Sequence, residues 1–203
     1  MIAGDTMTKF VFDLDGTITT VETLPLIAAE LGLADEMKLL TDLTLSGQIP
    51  FAKSFKLRYL VLRNVPLKKI QDVMSTVELD GQIVNFINEH KKNCAVVTGN
   101  LDCWIEPIVE RLGCESFSST SELDGNLPVL TKILDKGAAI RELKRTCSKV
   151  VAVGESFNDV PMFEESHVSI AYGGVHKPVS TAISISDYVV FDGGALCRLL
   201  KML

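Results

Sequence analysis

The chain has 203 residues, of which 47% are hydrophobic, and a formal net charge of -6 at pH 7. This length allows one well-packed core together with a small second domain or a large insertion. The net negative charge argues against a nucleic-acid or anionic-membrane partner, because such partners select a basic surface.

The first predicted element is a buried strand that ends in two acidic residues. Three apolar residues, Phe10 to Phe12, run directly into Asp13 and Asp15, and Thr17 closes the segment. In open α/β sheets, ligands bind beyond the carboxyl ends of the strands. This stretch therefore predicts a site for a metal or a phosphate group at the end of the strand.

The segment 19–80 has the pattern of a helical insertion. Apolar residues recur three and four positions apart, as at Leu24, Ile27, Ala28 and Leu31. Breaks at residue 32, residues 46–50 and residues 64–66 divide it into four helices, the last of which begins near Leu67. We predict a helical cap domain at 19–80, inserted into an α/β core formed by residues 1–18 and 81–203.

After the insertion, short apolar runs alternate with helical patterns. Strands are predicted at 94–97, 115–119, 150–153, 168–171 and 188–191, and helices at 83–88, 101–112, 136–145, 160–165 and 195–202. Asp124 and Gly125 form the predicted turn of a hairpin. This alternation predicts an α/β fold with a doubly wound parallel sheet.

Polar residues follow two further strands, and one lysine begins a helix between them. Thr98, Gly99 and Asn100 follow the second apolar strand, and a Gly-Glu-x-x-Asn-Asp turn follows the strand at 150–153. Because parallel strands end at the same edge of a sheet, we expect these groups to converge with Lys136. Phosphoryl transfer requires such a set: a nucleophile, a positive charge, a positioned metal and a proton donor.

Each of these roles has a candidate residue. Asp13 would attack phosphorus to give an aspartyl phosphate, and Asp15 would protonate the leaving alcohol and later activate water. The Thr98 hydroxyl would hold phosphoryl oxygens, and Lys136 would supply the positive charge. Lys132 is close enough in sequence to be the alternative cation.

The predicted metal ligands are all oxygen atoms. Glu155 and Asp159, together with Asp13, would form a hard oxygen site of the kind that Mg²⁺ prefers. We therefore predict Mg²⁺ as the cofactor.

The order and spacing of these motifs resemble the haloacid dehalogenase superfamily, and the helical insertion resembles the cap of its phosphoserine phosphatase group. The resemblance implies that Asp13 is the nucleophile and that Asp15 is the general acid/base, with its backbone carbonyl on magnesium. It also implies that Glu22 meets a substrate ammonium and that Arg58 meets a substrate carboxylate. Three further residues are expected on the substrate side of the site: Gly99, Asn100 and Asn158.

Two positions depart from the family pattern. The family usually has aspartate where this chain has Glu155, and the additional methylene moves the carboxylate outward by roughly 1.5 Å, which an octahedral magnesium site would register. Phosphoserine-specific members usually have glycine where this chain has Asn100. A side chain there either crowds the substrate or adds a hydrogen bond to it.

These observations predict a magnesium-dependent phosphatase that hydrolyses a small amino acid phosphate through an aspartyl phosphate. Two alternatives stay open: a phosphatase or phosphotransferase for another small phosphate ester, and a catalytically impaired relative that binds or signals. The expected partner is a small phosphorylated metabolite, with no nucleic acid or membrane, and the protein is expected to be a monomer or homodimer.

The cysteines predict the compartment. There are five, an odd number, without a CxxC pair or metal-ligand spacing to the three histidines, which favours reduced thiols in a cytoplasmic protein. The sequence shows no apolar run of membrane-spanning length, and its first seven residues lack signal-peptide features.

Overall fold

A seven-stranded sheet lies at the centre of the computed structural model, which describes residues 7–203. Its strand order is β4-β3-β2-β1-β5-β6-β7; neighbouring strands are parallel except for the antiparallel pair β3 and β4. The strands are β1 (Thr8–Phe12), β2 (Cys94–Leu101), β3 (Glu115–Asp124), β4 (Leu127–Lys132), β5 (Lys149–Gly154), β6 (Val168–Tyr172) and β7 (Tyr188–Val190). The prediction of a doubly wound, mostly parallel sheet is confirmed.

Ten α-helices lie among the described residues and connect or cover these strands. They are α1 (Thr23–Ala29), α2 (Ala34–Leu45), α3 (Phe51–Leu62), α4 (Leu67–Thr76), α5 (Gly81–Glu89), α6 (Asp102–Leu112), α7 (Lys136–Leu143), α8 (Val160–Glu165), α9 (Ser180–Ile185) and α10 (Gly193–Met202). The sequence analysis did not predict α9, a six-residue helix in which Ala182 is the one buried residue, so it lacks the repeated apolar positions of a helical pattern.

The central strand β1 is buried on both faces. Phe10 and Phe12 pack into one apolar cluster, which includes Phe86 of α5, whereas Val11 packs into a second cluster with Ile140 of α7. Burial on both faces explains why the strand is continuously apolar and does not alternate with polar residues. It also holds the end of β1, where the two aspartates follow, in a rigid setting.

The helical insertion leaves and rejoins the core at neighbouring points. Thr19 and Leu79 form an isolated antiparallel bridge, and the N–H of Asp80 donates a hydrogen bond to the carbonyl of Ile18 at 2.8 Å. Helices α1 to α4 lie between these points, which supports our proposal of a cap at 19–80 on a core of 1–18 and 81–203. Residues 1–6 of that first core segment lie outside the described residues.

The hairpin β3–β4 contacts the insertion. The two strands form a hairpin, as the sequence indicated, but the turn residues are Gly125 and Asn126, one position later than predicted, because Asp124 still pairs with Leu127. Gly125 has a φ of +60°. The Tyr59 hydroxyl of α3 donates to the carbonyl of Pro128 at 2.9 Å and accepts from the N–H of Leu130 at 3.1 Å. The hairpin thus holds the insertion over the edge of the sheet.

Asp80 lies between the end of the insertion and α5, so its substitution tests how much this junction contributes to stability. Its Oδ1 accepts from the N–H groups of Gln82 and Ile83 at 2.8 and 3.1 Å. We expect Asp80→Ala to lower the free energy of unfolding by about 1 kcal/mol, or Tm by about 2–4 °C, because both donors lose their acceptor. Urea and thermal denaturation would measure this loss.

Asp80→Asn is the matched control, because it keeps an acceptor oxygen at the N-cap. It should retain most of the stability. If Asp80→Ala and Asp80→Asn were equally destabilised, the cap hydrogen bonds would not be the cause.

Candidate active site

The ends of three adjacent strands deliver the polar residues singled out in the sequence. Asp13 follows β1, Thr98 lies in the last half of β2, and Glu155 follows β5. Since β1 lies between β2 and β5 and is parallel to both, these residues share one edge of the sheet. The β2–β3 register shifts between Val97 and Leu101, so the intervening residues leave the regular ladder.

A buried lysine connects two of the predicted carboxylates. Lys136 Nζ donates to Asp13 Oδ1 at 2.5 Å and to Asp159 Oδ1 at 2.7 Å, and only 3% of Lys136 is exposed. Lys132, the alternative cation, is an exposed residue at the end of β4. The structure therefore brings Lys136, and not Lys132, against the carboxylates.

Glu155 reaches the same cluster despite its additional methylene. Its Oε2 accepts a hydrogen bond of 2.5 Å from the Thr17 hydroxyl. Gly16 has a φ of +75°, and a Cβ there would lie 2.9 Å from Glu155 Oε1. The absence of a side chain at Gly16 thus leaves the space that the longer acid occupies.

These side chains fit a divalent cation. One oxygen from each of Asp13, Glu155 and Asp159 lies within 4.8 Å of the others, and all three residues are buried. Glu155 Oε1 has no hydrogen-bond partner among the described residues. When all three carboxylates are ionised, the ammonium of Lys136 leaves two negative charges uncompensated, and a divalent ion with oxygen ligands would balance them.

The ionisation of the cluster follows from this crowding. Burial, with the nearby Asp159 carboxylate, raises the pKa of Asp13 well above its usual value although Lys136 opposes the shift. Burial and the carboxylates of Asp159 and Asp13 likewise raise the pKa of Glu155. Burial alone would lower the pKa of Lys136, but Asp13 and Asp159 raise it, so the lysine stays charged.

The Asp159 carboxylate is held by the turn that precedes it. Its Oδ2 accepts from the N–H groups of Glu155 and Ser156 at 2.9 and 2.8 Å and from the Ser156 hydroxyl at 2.9 Å. Oδ1 is left to Lys136. The turn therefore fixes the orientation of Asp159 before any ligand binds.

Asp15 lies at the edge of the cluster, toward the cap. Its Oδ1 accepts hydrogen bonds from the backbone N–H and the hydroxyl of Thr23, the first residue of α1. The amide nitrogen of Asn100 lies 3.3 Å from Asp15 Oδ2. Asp15 is thus connected both to the cap and to the end of β2.

A pocket with an empty volume of about 460 Å³ lies between the strand ends and the cap. Its lining includes nearly all predicted catalytic and substrate-side residues, namely Asp13, Asp15, Glu22, Arg58, Thr98, Gly99, Asn100 and Asn158.

The cap contributes two opposite charges to this pocket. Arg58 is 4% exposed; its Nη1 donates to Thr41 Oγ1 at 3.3 Å, and its Nε has no hydrogen-bond partner among the described residues. Burial lowers the pKa of Arg58, which Asp15 and Glu22 oppose. Burial raises the pKa of Glu22.

Several contacts at the site had no clear signal in the sequence. Thr17 and Ser156 are close to motif residues in the sequence, so their hydroxyls could have been proposed as site groups. Thr23 lies at the start of a helix, a common position for threonine, and nothing in the sequence marked it as a site residue. His176 Nε2 lies 3.3 Å from Glu22 Oε1, and this contact raises the pKa of the histidine. The chain separation of His176 and Glu22 hides such a pair from sequence patterns.

Phe51 covers Gly99 and thereby closes one side of the pocket. A Cβ on Gly99 would lie 2.1 Å from Cζ of Phe51. The Phe51 ring stacks on Phe55 with centroids 5.5 Å apart, and the Arg58 guanidinium carbon lies 5.9 Å from the Phe51 ring centre. Gly99 thus permits the cap to approach the end of β2.

This contact predicts that Gly99→Ala is destabilising. We expect the free energy of unfolding to fall by about 1–3 kcal/mol, because the added methyl group forces Phe51 and its helix to move. Urea denaturation would measure the change. In Gly81→Ala, the matched control, the new Cβ meets no atom within 4 Å, so stability should be unchanged or higher. A Gly99→Ala protein as stable as wild type would contradict the close contact.

Phosphoserine phosphatases from two archaea are similar to this chain in sequence. A phosphoserine phosphatase from Methanocaldococcus jannaschii is 28% identical over 177 residues, which cover 79% of this chain and 83% of the relative. A phosphoserine phosphatase from Archaeoglobus fulgidus is 29% identical over 176 residues, which cover 80% of this chain and 51% of the relative. This chain therefore spans about half the length of that second relative.

Solved structures show the same fold. A phospho-aspartyl intermediate analogue of phosphoserine phosphatase superposes with a TM-score of 0.81 at 22% identity, covering 98% of this chain and 100% of the other. A substrate-bound phosphoserine phosphatase superposes with a TM-score of 0.83 at 22% identity, covering 98% and 99%. The predicted resemblance to phosphoserine phosphatases is confirmed.

A family model described as haloacid dehalogenase-like hydrolase matches residues 10–164, which include Asp13, Thr98, Lys136 and Asp159. The match covers more than half of the chain and extends across the cap and the central strands. This chain belongs to the haloacid dehalogenase-like hydrolase family.

Proposed function

We propose that this protein is a magnesium-dependent phosphatase that hydrolyses a small amino acid phosphate such as phosphoserine. One observation carries the proposal: the buried ion pair of Asp13 and Lys136 faces a pocket that also contains Arg58 and Glu22. A nucleophile suited to phosphorus thus lies in the same pocket as charges suited to an amino acid. The names of the relatives support the same substrate class.

In the proposed reaction, a carboxylate oxygen of Asp13 attacks phosphorus and the bond from phosphorus to the ester oxygen breaks. Asp15 gives its proton to the departing oxygen, so the alcohol leaves neutral. Water then attacks phosphorus, Asp15 takes a proton from that water, and the bond between Asp13 and phosphorus breaks, which releases inorganic phosphate. The Thr98 hydroxyl and the Lys136 ammonium bind the phosphoryl oxygens and stabilise their charge.

Mg²⁺ is the proposed cation because every donor in the buried cluster is a carboxylate oxygen. Asp13, Glu155 and Asp159 would hold it, with the backbone carbonyl of Asp15 as the further ligand that the resemblance implies. When bound, the ion would neutralise phosphoryl charge and reduce the repulsion between Asp13 and the phosphate.

The substrate assignment depends on the buried charges of the cap. Arg58 would bind the substrate carboxylate, which would give an acceptor to its Nε, an atom with no hydrogen-bond partner within residues 7–203. Glu22 would bind the substrate ammonium in the place where His176 now contacts it. Gly99 and Asn158 line the pocket and would contact the substrate there.

Some expectations concern the protein as a whole. No helix within residues 7–203 has the length and apolar character of a membrane span. The five cysteines are free thiols in the structure, in accord with the proposed cytoplasmic location. The expectation that the protein is a monomer or a homodimer stays a prediction.

Phosphate release from a panel of esters would test the function. We expect the highest kcat/KM with L-phosphoserine, lower values with phosphoethanolamine, which lacks the carboxylate, and with phosphoglycolate, which lacks the ammonium. Asp13→Asn should reduce phosphate release by roughly 10³-fold or more, because it removes the nucleophile. Asp72→Asn, at an exposed site on α4, is the matched control and should behave as wild type.

Three results would contradict parts of this proposal. Equal rates for wild type and Asp13→Asn would exclude the nucleophile. Uniformly low rates with amino acid phosphates, together with rapid turnover of another ester, would favour the alternative substrate class. Absence of turnover together with a long-lived phosphoprotein would favour a binding or signalling role.

Magnesium should stabilise the protein more at pH 8 than at pH 5. The raised pKa values of Asp13 and Glu155 mean that their charged forms are disfavoured in the fold, so each carboxylate contributes a loss of stability as the pH rises through its folded pKa. The cation offsets this loss, and protons compete with it at low pH. Thermal denaturation with and without saturating MgCl₂ should show the larger rise in Tm at pH 8.

Variants of glutamate provide the control for this experiment. Glu155→Gln should lose most of the magnesium-dependent rise in Tm, whereas Glu110→Gln, at an exposed position of α6, should keep it. An equal rise at pH 5 and pH 8, or a full rise in Glu155→Gln, would show that the metal binds elsewhere.

A further inference from the structure

The Asn100 side chain lies between Asp15 and the first turn of the cap. Its amide nitrogen is 2.9 Å from Thr23 Oγ1 and 3.3 Å from Asp15 Oδ2. Its Oδ1 accepts from the N–H of Leu101 at 2.8 Å. Because a backbone donor faces the amide oxygen, the orientation of the amide is determined, and its two N–H groups point to Thr23 and Asp15.

Thr23 extends this arrangement into a directed chain of hydrogen bonds. Its hydroxyl accepts from Asn100 and donates its one proton to Asp15 Oδ1, which also accepts from the Thr23 backbone N–H at 3.1 Å. Hydrogen bonds that run in one direction polarise and strengthen each other in a poorly solvated site. Asp15 therefore receives donors on both carboxyl oxygens.

We propose that Asn100 and Thr23 are positioning residues that direct the proton of Asp15 toward the reacting oxygen. The inference rests on the proposed function, in which Asp15 is the general acid and base. Asp15 Oδ1 already accepts two hydrogen bonds from Thr23, so Oδ2 is the carboxyl oxygen left to exchange a proton with the reacting groups. Asn100 sets the direction of Oδ2 within the pocket that Asp15 lines.

This role differs from the substrate contact expected of Asn100. Both of its amide hydrogens are already bound, one by Thr23 and one by Asp15, and its oxygen is bound by Leu101. The side chain therefore has no free donor for a substrate. It acts on the reaction through Asp15.

The two steps use this proton in opposite directions. In the first, Asp13 bonds to phosphorus, the ester bond to phosphorus breaks, and the proton on Asp15 Oδ2 moves to the departing oxygen. In the second, a water oxygen bonds to phosphorus, one water proton moves to Asp15 Oδ2, and the bond between Asp13 and phosphorus breaks. A carboxyl group free to rotate would perform both transfers less well.

Esters with different leaving groups distinguish a role in positioning Asp15 from a general structural role. An alcohol such as serine needs the proton in order to leave, whereas p-nitrophenolate leaves without it. The ratio kcat/KM covers the steps up to departure of the alcohol, and therefore only the first proton transfer. The second transfer affects kcat for both esters.

The experiment compares Asn100→Ala and Thr23→Val with wild type on L-phosphoserine and p-nitrophenyl phosphate. We expect kcat/KM for phosphoserine to fall roughly 10- to 100-fold in each variant and that for p-nitrophenyl phosphate to fall less than about threefold. In the same variants, kcat for p-nitrophenyl phosphate should fall, because activation of water is impaired.

Two further variants serve as controls. Thr23→Ser keeps the hydroxyl and should restore the preference for phosphoserine to near the wild-type value. Ser119→Ala removes a buried hydroxyl that donates to the carbonyl of Gly99 at 2.7 Å, but it leaves the hydrogen bonds of Asp15 intact. It should change kcat/KM for the two esters by the same factor.

The outcomes distinguish this inference from the proposed function. Equal losses of kcat/KM on both esters in Asn100→Ala and Thr23→Val would overturn the positioning role while leaving the phosphatase intact. A wild-type protein inactive on both esters would refute the proposed function itself. If Asn100→Ala did not fold, as judged by circular dichroism, the comparison of Thr23→Val with Thr23→Ser would decide.

Discussion

The concentration of negative charge at the edge of the sheet is the constraint on which the rest of the site depends. Asp13, Glu155 and Asp159 are buried within a few ångströms of one another, and Lys136 is the cation that contacts two of them. Buried charges of one sign are unfavourable unless they are paired. A divalent cation held by the three carboxylates would supply the balancing positive charge.

The sheet supplies the rigidity that this arrangement requires. The apolar residues of β1 pack into clusters on both faces of the sheet, so the strand that ends at Asp13 cannot shift to relieve repulsion. Asp13 is also tied to the neighbouring strand, because its N–H donates to the carbonyl of Val153 at 2.9 Å. Burial, together with repulsion among the carboxylates, therefore raises the pKa values of Asp13 and Glu155, while the backbone retains its position.

The sequence predicted the sheet and the meeting of the strand ends, because apolar strands that alternate with helices form a parallel sheet, and the polar residues that follow parallel strands lie on the same side of it. Spacing alone left the choice between Lys132 and Lys136 open. Burial separates them, since β4 is an edge strand whereas α7 begins under the cluster. The contact of His176 with Glu22 and the hydrogen bonds of Asn100 depend on loop paths and on the seating of the cap, for which local sequence patterns carry no information.

The cap, like the core, places incompletely compensated charges at the pocket. Arg58 is buried, and its Nε has no hydrogen-bond partner in the part of the chain that the structure describes; Glu22 is half-buried near a histidine. Each is an incompletely compensated charge, and each faces the pocket that holds Asp13. A ligand with a phosphate, a carboxylate and an ammonium would compensate the cation site, Arg58 and Glu22 in one binding event. A phosphate ester without the last two groups would leave both cap charges uncompensated, so discrimination arises from the cost of burying charge rather than from the shape of the pocket.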